Sequence, residues 1–325
     1  MQEYATFDDK QAFFRSHTIV KNIKELEQAL EALKDEQQKN TNHTVFRGVK
    51  EARYKLFNSL QRLWALRSLN DLGLDPMQAV QSLLLPFQGN NHVLKKYLKQ
   101  LGVVCNDWWL LSFLQHYGAA SPLLDFSKSY EVALFFACKD IDFCGSTNPI
   151  DNYFSIYYYS NMEVCRDITS SIVTYAKNIA RGMEANKTNN TAIWKNELSF
   201  NTIMGHAPNR TFILPTYTNK TKIRNTRREV VTTYTMANLN VTSQEGEFVC
   251  NMNMEMPLEQ IFKKATLCAP DKYYISSIDI HKGLRDYIIK KYLGGTLKAA
   301  TMKYFPSERT IAQEAQQLWL ETPNS

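Results

Sequence analysis

Thr44-Val45-Phe46-Arg47-Gly48-Val49 is a short β-prone run with an arginine set among apolar neighbours. The polar stretch 36–44 leads into it and closes an amphipathic helix expected over residues 19–39. There Val20, Ile23, Leu26, Leu30 and Leu33 recur at spacings of three and four. A second run follows at 55–64, and a helix is expected over 75–87 with Met77, Val80, Leu83 and Leu84 inward. Residues 107–117 (DWWLLSFLQHY) read as a strongly apolar helix, capped by Asp107 and stopped by Gly118 in the left-handed conformation. Pro122 opens the next element, and 130–139 reads as a second buried helix.

Further along, 145–152 is a loop by composition and 153–160 a tyrosine-rich strand. Strands are also expected at 210–215, 247–252 and 276–280, while 230–237 reads as a strand or a helix end. A terminal helix pair covers 282–292 and 308–320. The Asn- and Thr-rich stretch 166–209 carries little pattern, and 184–191 reads as an exposed loop. Helices and short strands mix without a βαβ rhythm, which favours an α+β fold around a short-stranded central sheet, or an irregular α/β one, over a doubly wound sheet. Neither G-x-G-x-x-G nor the phosphate-loop pattern occurs, so the two common nucleotide folds lose their main support. The expected organisation is an N-terminal segment at 1–18, a core at 19–140, an insertion or lobe at 141–235, and strands and helices at 236–325 completing the same domain.

The 325 residues are 44% hydrophobic and 22% charged, a globular balance in which disorder is expected only at the polar ends, including the first dozen residues. A net charge of +6 is compatible with an anionic ligand or nucleic acid and demands neither. Residues 1–10 hold three acids and no apolar run, so the cytoplasm is the expected location. No stretch reaches the roughly 20 apolar residues of a membrane span. The six cysteines form no C-x-x-C pair and the six histidines are scattered, so no metal is expected and the thiols read as reduced and mostly buried.

Three places could carry chemistry. Arg47 within a strand needs a carboxylate or a phosphate for its guanidinium. Either it pairs with Asp125, or it forks onto an anionic ligand that Gly48 lets approach the backbone. Gln115-His116-Tyr117-Gly118 meets Ser121 to Ser127 across a turn, where His116 is either a general base or a core histidine fixing the helix end. Ser243-Gln244-Glu245-Gly246-Glu247 places two carboxylates about a glycine just before a strand, on most chains an exposed turn. The most basic run, 220–228, is the only support for nucleic-acid binding and usually marks a solvated loop.

Taken together, these segments resemble the bacterial FRG family. Phe46-Arg47-Gly48 is followed by Leu56-Phe57-Asn58-Ser59-Leu60-Gln61-Arg62, similar to L-x-P-S-L-x-R. Gln115-His116-Tyr117-Gly118, Leu123-Leu124-Asp125 and Ala133-Leu134-Phe135-Phe136-Ala137 are similar to Q-H-Y-G-x-x-T-R-L-L-D-W-T and A-L-F-F-A. Gln244-Glu245-Gly246-Glu247-Phe248 is similar to the later Q-x-G-x-F. The chain departs from the pattern at Ser121-Pro122, at Phe126-Ser127 and at Asn240, where the family has Thr-Arg, Trp-Thr and Arg. The resemblance implies a module often encoded with phage defence or mobile elements, with Asp125, Gln115, Tyr117, Gln244 and Arg62 shaping a pocket. A weaker likeness is to ADP-ribosyltransferases of the arginine-serine-glutamate type, which have a split sheet. It implies NAD as the ligand, with Arg47 and Gly48 at its pyrophosphate and Ser127 and Ser129 about the nicotinamide ribose. Glu247 would bond the ribose hydroxyl, and Glu245 or His116 would act on a protein or nucleic-acid acceptor. The other readings are a ligand-sensing or protein-interaction module without catalysis, and a nucleic-acid-directed effector.

Overall fold

The computed structural model describes residues 3–39, 44–88, 93, 96, 107–141, 143, 145–160, 211–214, 218–222, 229–233, 239–268 and 275–306. Its main sheet is built from β1 (His17–Val20), β2 (Thr44–Val49), β3 (Leu123–Ser127), β4 (Tyr153–Ser160), β5 (Thr211–Leu214), β8 (Gly246–Asn251) and β9 (Ser276–His281). The strand order is β1-β9-β4-β2-β3-β8-β5, and every neighbouring pair is antiparallel except β1 with β9. A hairpin of β6 (Thr218–Lys222) and β7 (Glu229–Thr233) forms a second sheet. The fold is α+β, as the mixed pattern of helices and short strands implies.

Alternation along the strands divides the core between two faces. Phe46 and Ile278 look toward α2 (Ile23–Lys39), α6 (Tyr130–Cys138), α9 (Arg285–Tyr292) and α10 (Leu297–Tyr304). Leu123, Phe248 and Cys250 pack against Trp64, Val80 and Trp108 of α3 (Ser59–Leu66), α4 (Pro76–Gln88) and α5 (Asp107–His116). On the opposite face Val45, Leu124, Phe126, Tyr157 and Val249 meet Leu258 and Phe262 of α8 (Leu258–Cys268). Each large side chain so buried contributes about 1.5–3 kcal/mol, which is why both faces need their cover. Helix α6 lies so close on β2 that a Cβ at Gly48 would stand 1.8 Å from the Ala133 carbonyl oxygen.

Several elements differ from the sequence reading, each for a local reason. Val20 belongs to β1 rather than to a helix. Asn22 accepts the Glu25 amide while the Glu25 carboxylate accepts the Lys21 amide, so the helix starts only at Ile23. The run at 55–64 becomes helical from Ser59, where Asn58 and Gln61 close a reciprocal capping box. The loop at 145–152 ends in a 3₁₀ turn, Pro149–Asn152.

The first dozen residues are no loose end where they are described. Helix α1 (Phe7–Gln11) is capped by Thr6 and Asp9, and Lys10 beneath it is fully buried. Its Nζ reaches Asp279 Oδ1 at 2.5 Å, Ser155 Oγ at 2.7 Å and the Ala52 carbonyl at 2.9 Å. Asp279 is bound in turn by His17 Nε2 at 2.7 Å and Ser155 Oγ at 2.6 Å. Helices α1, α7 (Leu239–Ser243), α8 and α10 had no place in the sequence reading. The stretch 166–209 and the second terminal helix lie outside the described residues. No described helix is long and apolar enough to cross a membrane.

Candidate functional site

The site grows from a flaw in the sheet. Strands β2 and β3 share one ladder pair, Phe46 with Ser127, whereas β2 meets β4 over six pairs from Thr44–Ser160 to Val49–Ser155. Past Phe46 the two strands part, and Arg47 bridges the gap. Its Nη1 donates to the Asp125 main-chain carbonyl and stands 3.8 Å from the Asp125 carboxylate. Among the described residues its buried Nε has no hydrogen-bond partner. Asp125 is held from the other side by Gln115 Nε2 at 2.6 Å. Gln115 and His116 arrive there because α5 stops at His116, with Gly118 at φ +79 turning the chain back toward β3.

The gap opens into a cavity of about 340 Å³, at the small end of the range for ligand sites. Arg47, Asp125, Ser127, Glu247, Gln115 and His116 all contribute to its lining, with Phe136 and Phe305 as apolar walls. Glu247 pairs with Phe126 across β3 and β8 and is only 5% exposed. Among the described residues no hydrogen bond reaches its carboxylate. Burial raises its pKa to about 7, against a partial downward pull from Lys128. His116 is half-buried, and burial lowers its pKa while Asp125 opposes the shift. Burial also lowers the Arg47 pKa; Asp125 offsets this in part, and the Arg62 charge adds to it.

The structure thus brings Arg47, Gly48, Ser127, Glu247, His116, Gln115, Asp125 and Gln244 to one cleft. It does not bring the others. Glu245 is exposed in the turn before β8, at φ +47, and its carbonyl accepts the Lys128 amide. Tyr117 is 64% exposed and packs its ring 4.7 Å from Phe113. Arg62 lines a different cavity, which it shares with Arg47. Glu247 departs from the exposed-turn reading, because β8 begins at Gly246 and carries it into the sheet.

Two expected roles change with the geometry. Gly48 does not make room for a ligand at the position of its missing side chain; the α6 backbone fills that space. The hydroxyls of Ser127 and Ser129 both serve main-chain groups. Ser127 Oγ donates to the Gln244 carbonyl at 2.6 Å and accepts the Ser129 amide at 2.9 Å. Ser129 Oγ caps α6 by accepting the Val132 amide. Gln244 adds a bond from its side chain to the Tyr304 carbonyl. Asp125 does pair with Arg47, though loosely and with its carboxylate half exposed, so it is not the buried pair of the structural reading.

The sequence reading missed Phe136, Lys139, Val241 and Phe305 in the lining. Lys139 offered no signal beyond ending a buried helix, and Phe305 arrives beside Phe136 from a distant part of the chain. Of the basic run 220–228, residues 220–222 lie in β6 and 223–228 lie outside the described residues. Among the described residues no group of three or more His, Cys, Asp and Glu side chains is placed to hold a metal ion.

The family model for the FRG domain matches residues 42–143. The chain carries an FRG domain. The match covers β2, β3 and the helices from α3 to α6, and therefore the Arg47, Gln115, His116, Asp125 and Ser127 part of the cleft. Glu247 comes to the FRG domain from β8, beyond the matched stretch. Against curated proteins and against solved structures the chain finds no match.

Proposed function

We propose that this FRG-domain protein binds NAD in the cleft and breaks its nicotinamide glycosidic bond, passing ADP-ribose to water or to an acceptor. One observation carries the reading: Arg47, Ser127 and Glu247, distant in sequence, line the same opening in a split sheet. The fit is chemical as well as spatial. Among the described residues the buried Arg47 Nε has no partner and the Glu247 carboxylate has no hydrogen bond.

Arg47 would hold a phosphate beside the gap through its remaining N–H donors. Glu247, ionised, would accept from a ribose hydroxyl and stabilise the positive charge that develops on the sugar as the C–N bond breaks. Nicotinamide leaves with the electron pair of that bond. The attacking hydroxyl forms the new bond to the ribose carbon and yields its proton to His116, which burial keeps largely neutral at pH 7. Glu245 stands outside the lining, so His116 takes precedence for this role. Ser127 acts through the turn it ties to Gln244 rather than by its own hydroxyl. The defence setting that the FRG resemblance implies suits an activity that depletes NAD or modifies a target.

The test is nicotinamide release from NAD, measured on the wild type and on folded Arg47→Ala and Glu247→Gln variants. Release by the wild type that vanishes in both supports the mechanism; full turnover in folded Glu247→Gln ends it. A second reading, binding without turnover, is favoured by the commitment of the Ser127 and Ser129 hydroxyls to the main chain. Saturable NAD binding with no nicotinamide released would select it.

A further inference from the structure

Arg47 is a wall of two cavities. The second, about 350 Å³, is lined by Arg47, Arg62, Lys55, Glu3, Tyr54 and Phe57, among others. Three of these side chains are cations and only one is an acid. That acid, Glu3, is already matched by Arg53 at 3.7 Å. The Arg62 Nη1 donates to the Phe57 carbonyl at 2.5 Å, and among the described residues no carboxylate lies within 4 Å of its guanidinium. Lys55 stands over the Tyr4 ring at 5.1 Å, likewise without an ion pair among the described residues. Arg47 shares one Nη with Asp125, and its buried Nε has no partner among the described residues.

Two guanidinium groups whose charges press on each other, with a lysine beside them and the single Asp125 carboxylate offsetting both guanidiniums only in part, make a positive hollow. Such a hollow lowers the cost of an anion that brings several acceptor oxygens. A carboxylate offers two oxygens in one plane, while a phosphate chain can meet two arginine forks and an ammonium at once.

We propose that this second cavity is a binding site for a diphosphate-bearing molecule, held by Arg62 and Lys55 with Arg47 as the shared partner. The proposal rests on the charge and shape of the cavity and does not require glycosidic cleavage in the first cleft. It extends the chemistry of the protein, because occupation of either cavity engages the same arginine.

Isothermal titration of the full chain with inorganic pyrophosphate and with ADP tests it. The expected result is saturable binding of at least one, weakened about tenfold or more in both Arg62→Ala and Lys55→Ala, as loss of a charge-assisted bond implies. Arg67→Ala, which removes an exposed charge outside the cavity, should leave it intact. Tighter binding of ADP than of pyrophosphate names a nucleotide as the source of the diphosphate; equal binding names the free ion. No binding of either probe, or equal weakening by Arg67→Ala, overturns the assignment. Diphosphate binding with no nicotinamide release would leave this site standing and remove the catalytic reading.

Discussion

Arg47 donates to the main-chain carbonyl of Asp125 across the gap where β2 and β3 separate, while the two side chains stay 3.8 Å apart. The hydrogen bond, more than the ion pair, ties the two strands there. A partly exposed pair is worth about 0–1 kcal/mol, and a bond from a charged donor about 1.5–3 kcal/mol. Arg47→Ala should therefore stay folded and lose about 1–3 kcal/mol in urea unfolding. A loss beyond about 5 kcal/mol would restore the buried-pair reading of this arginine.

Gly48→Ala should be far more damaging than its size suggests. The added methyl meets backbone, namely the Ala133 carbonyl at 1.8 Å and the Ala137 nitrogen at 2.8 Å, which cannot rotate aside as a side chain can. Overpacking commonly costs about 1–3 kcal/mol, occasionally more, and this position belongs at the upper end. The melting temperature of Gly48→Ala compared with Gly73→Ala separates steric clash from backbone preference. Gly73 has a positive φ of +65, but an added methyl there would meet nothing within 4 Å, so its replacement should cost less.

Glu247 gives stability a pH dependence of definite sign. Its folded pKa is raised from 4.5 to about 7 by burial, so between those values the folded protein holds a proton that the unfolded chain has lost. Stability therefore falls as pH rises from about 4.5 and levels off above about 7. At about 1.4 kcal/mol per pH unit the fall comes to about 3.5 kcal/mol. Chemical denaturation at pH 5 and pH 8 should show a smaller difference in Glu247→Gln than in the wild type. In the catalytic reading, nicotinamide release should rise through pH 7 as the carboxylate ionises.

The Lys10–Asp279 pair tests whether the amino-terminal helix is an integral part of the fold. Lys10→Met leaves Asp279 buried with, among the described residues, His17 and Ser155 as its remaining partners, and breaking such a pair costs about 3–5 kcal/mol. The double variant Lys10→Met with Asp279→Leu should recover much of that loss in urea unfolding. Additive losses would show that the two residues do not act as a pair.

The elements legible in the sequence were those whose signal is local. The apolar run DWWLLSFLQH is helix α5, with Asp107 in its first turn rather than at the cap and a left-handed Gly118 after it, and YFSIYYYS is β4 to the residue. What could not be read is what depends on distant partners. Val20 repeats at helical spacing with Ile23 and Leu26, yet its ladder partner is Ile280. Lys10 looks like one more polar terminal residue, and its burial is explained by Asp279, Ser155 and the Ala52 carbonyl, all distant in the chain. In the cleft, Arg47 and Asp125 could be paired from residue type alone. The hydroxyls of Ser127 and Ser129 looked available because nothing local announces that Gln244 and the first turn of α6 will engage them.

The placement of β4 and β8 has a practical consequence. Residues 42–143 supply β2 and β3, but the strands that flank them, β4 and β8, lie later in the chain. A fragment trimmed to the family boundaries would leave two raw edges carrying Val45, Leu124 and Phe126, joined to each other by a single rung. Exposed edges of that kind recruit strands from neighbouring molecules. The recognisable stretch is then a poor unit for recombinant work, and insolubility of the excised piece would reflect its missing neighbours rather than any property of the whole protein.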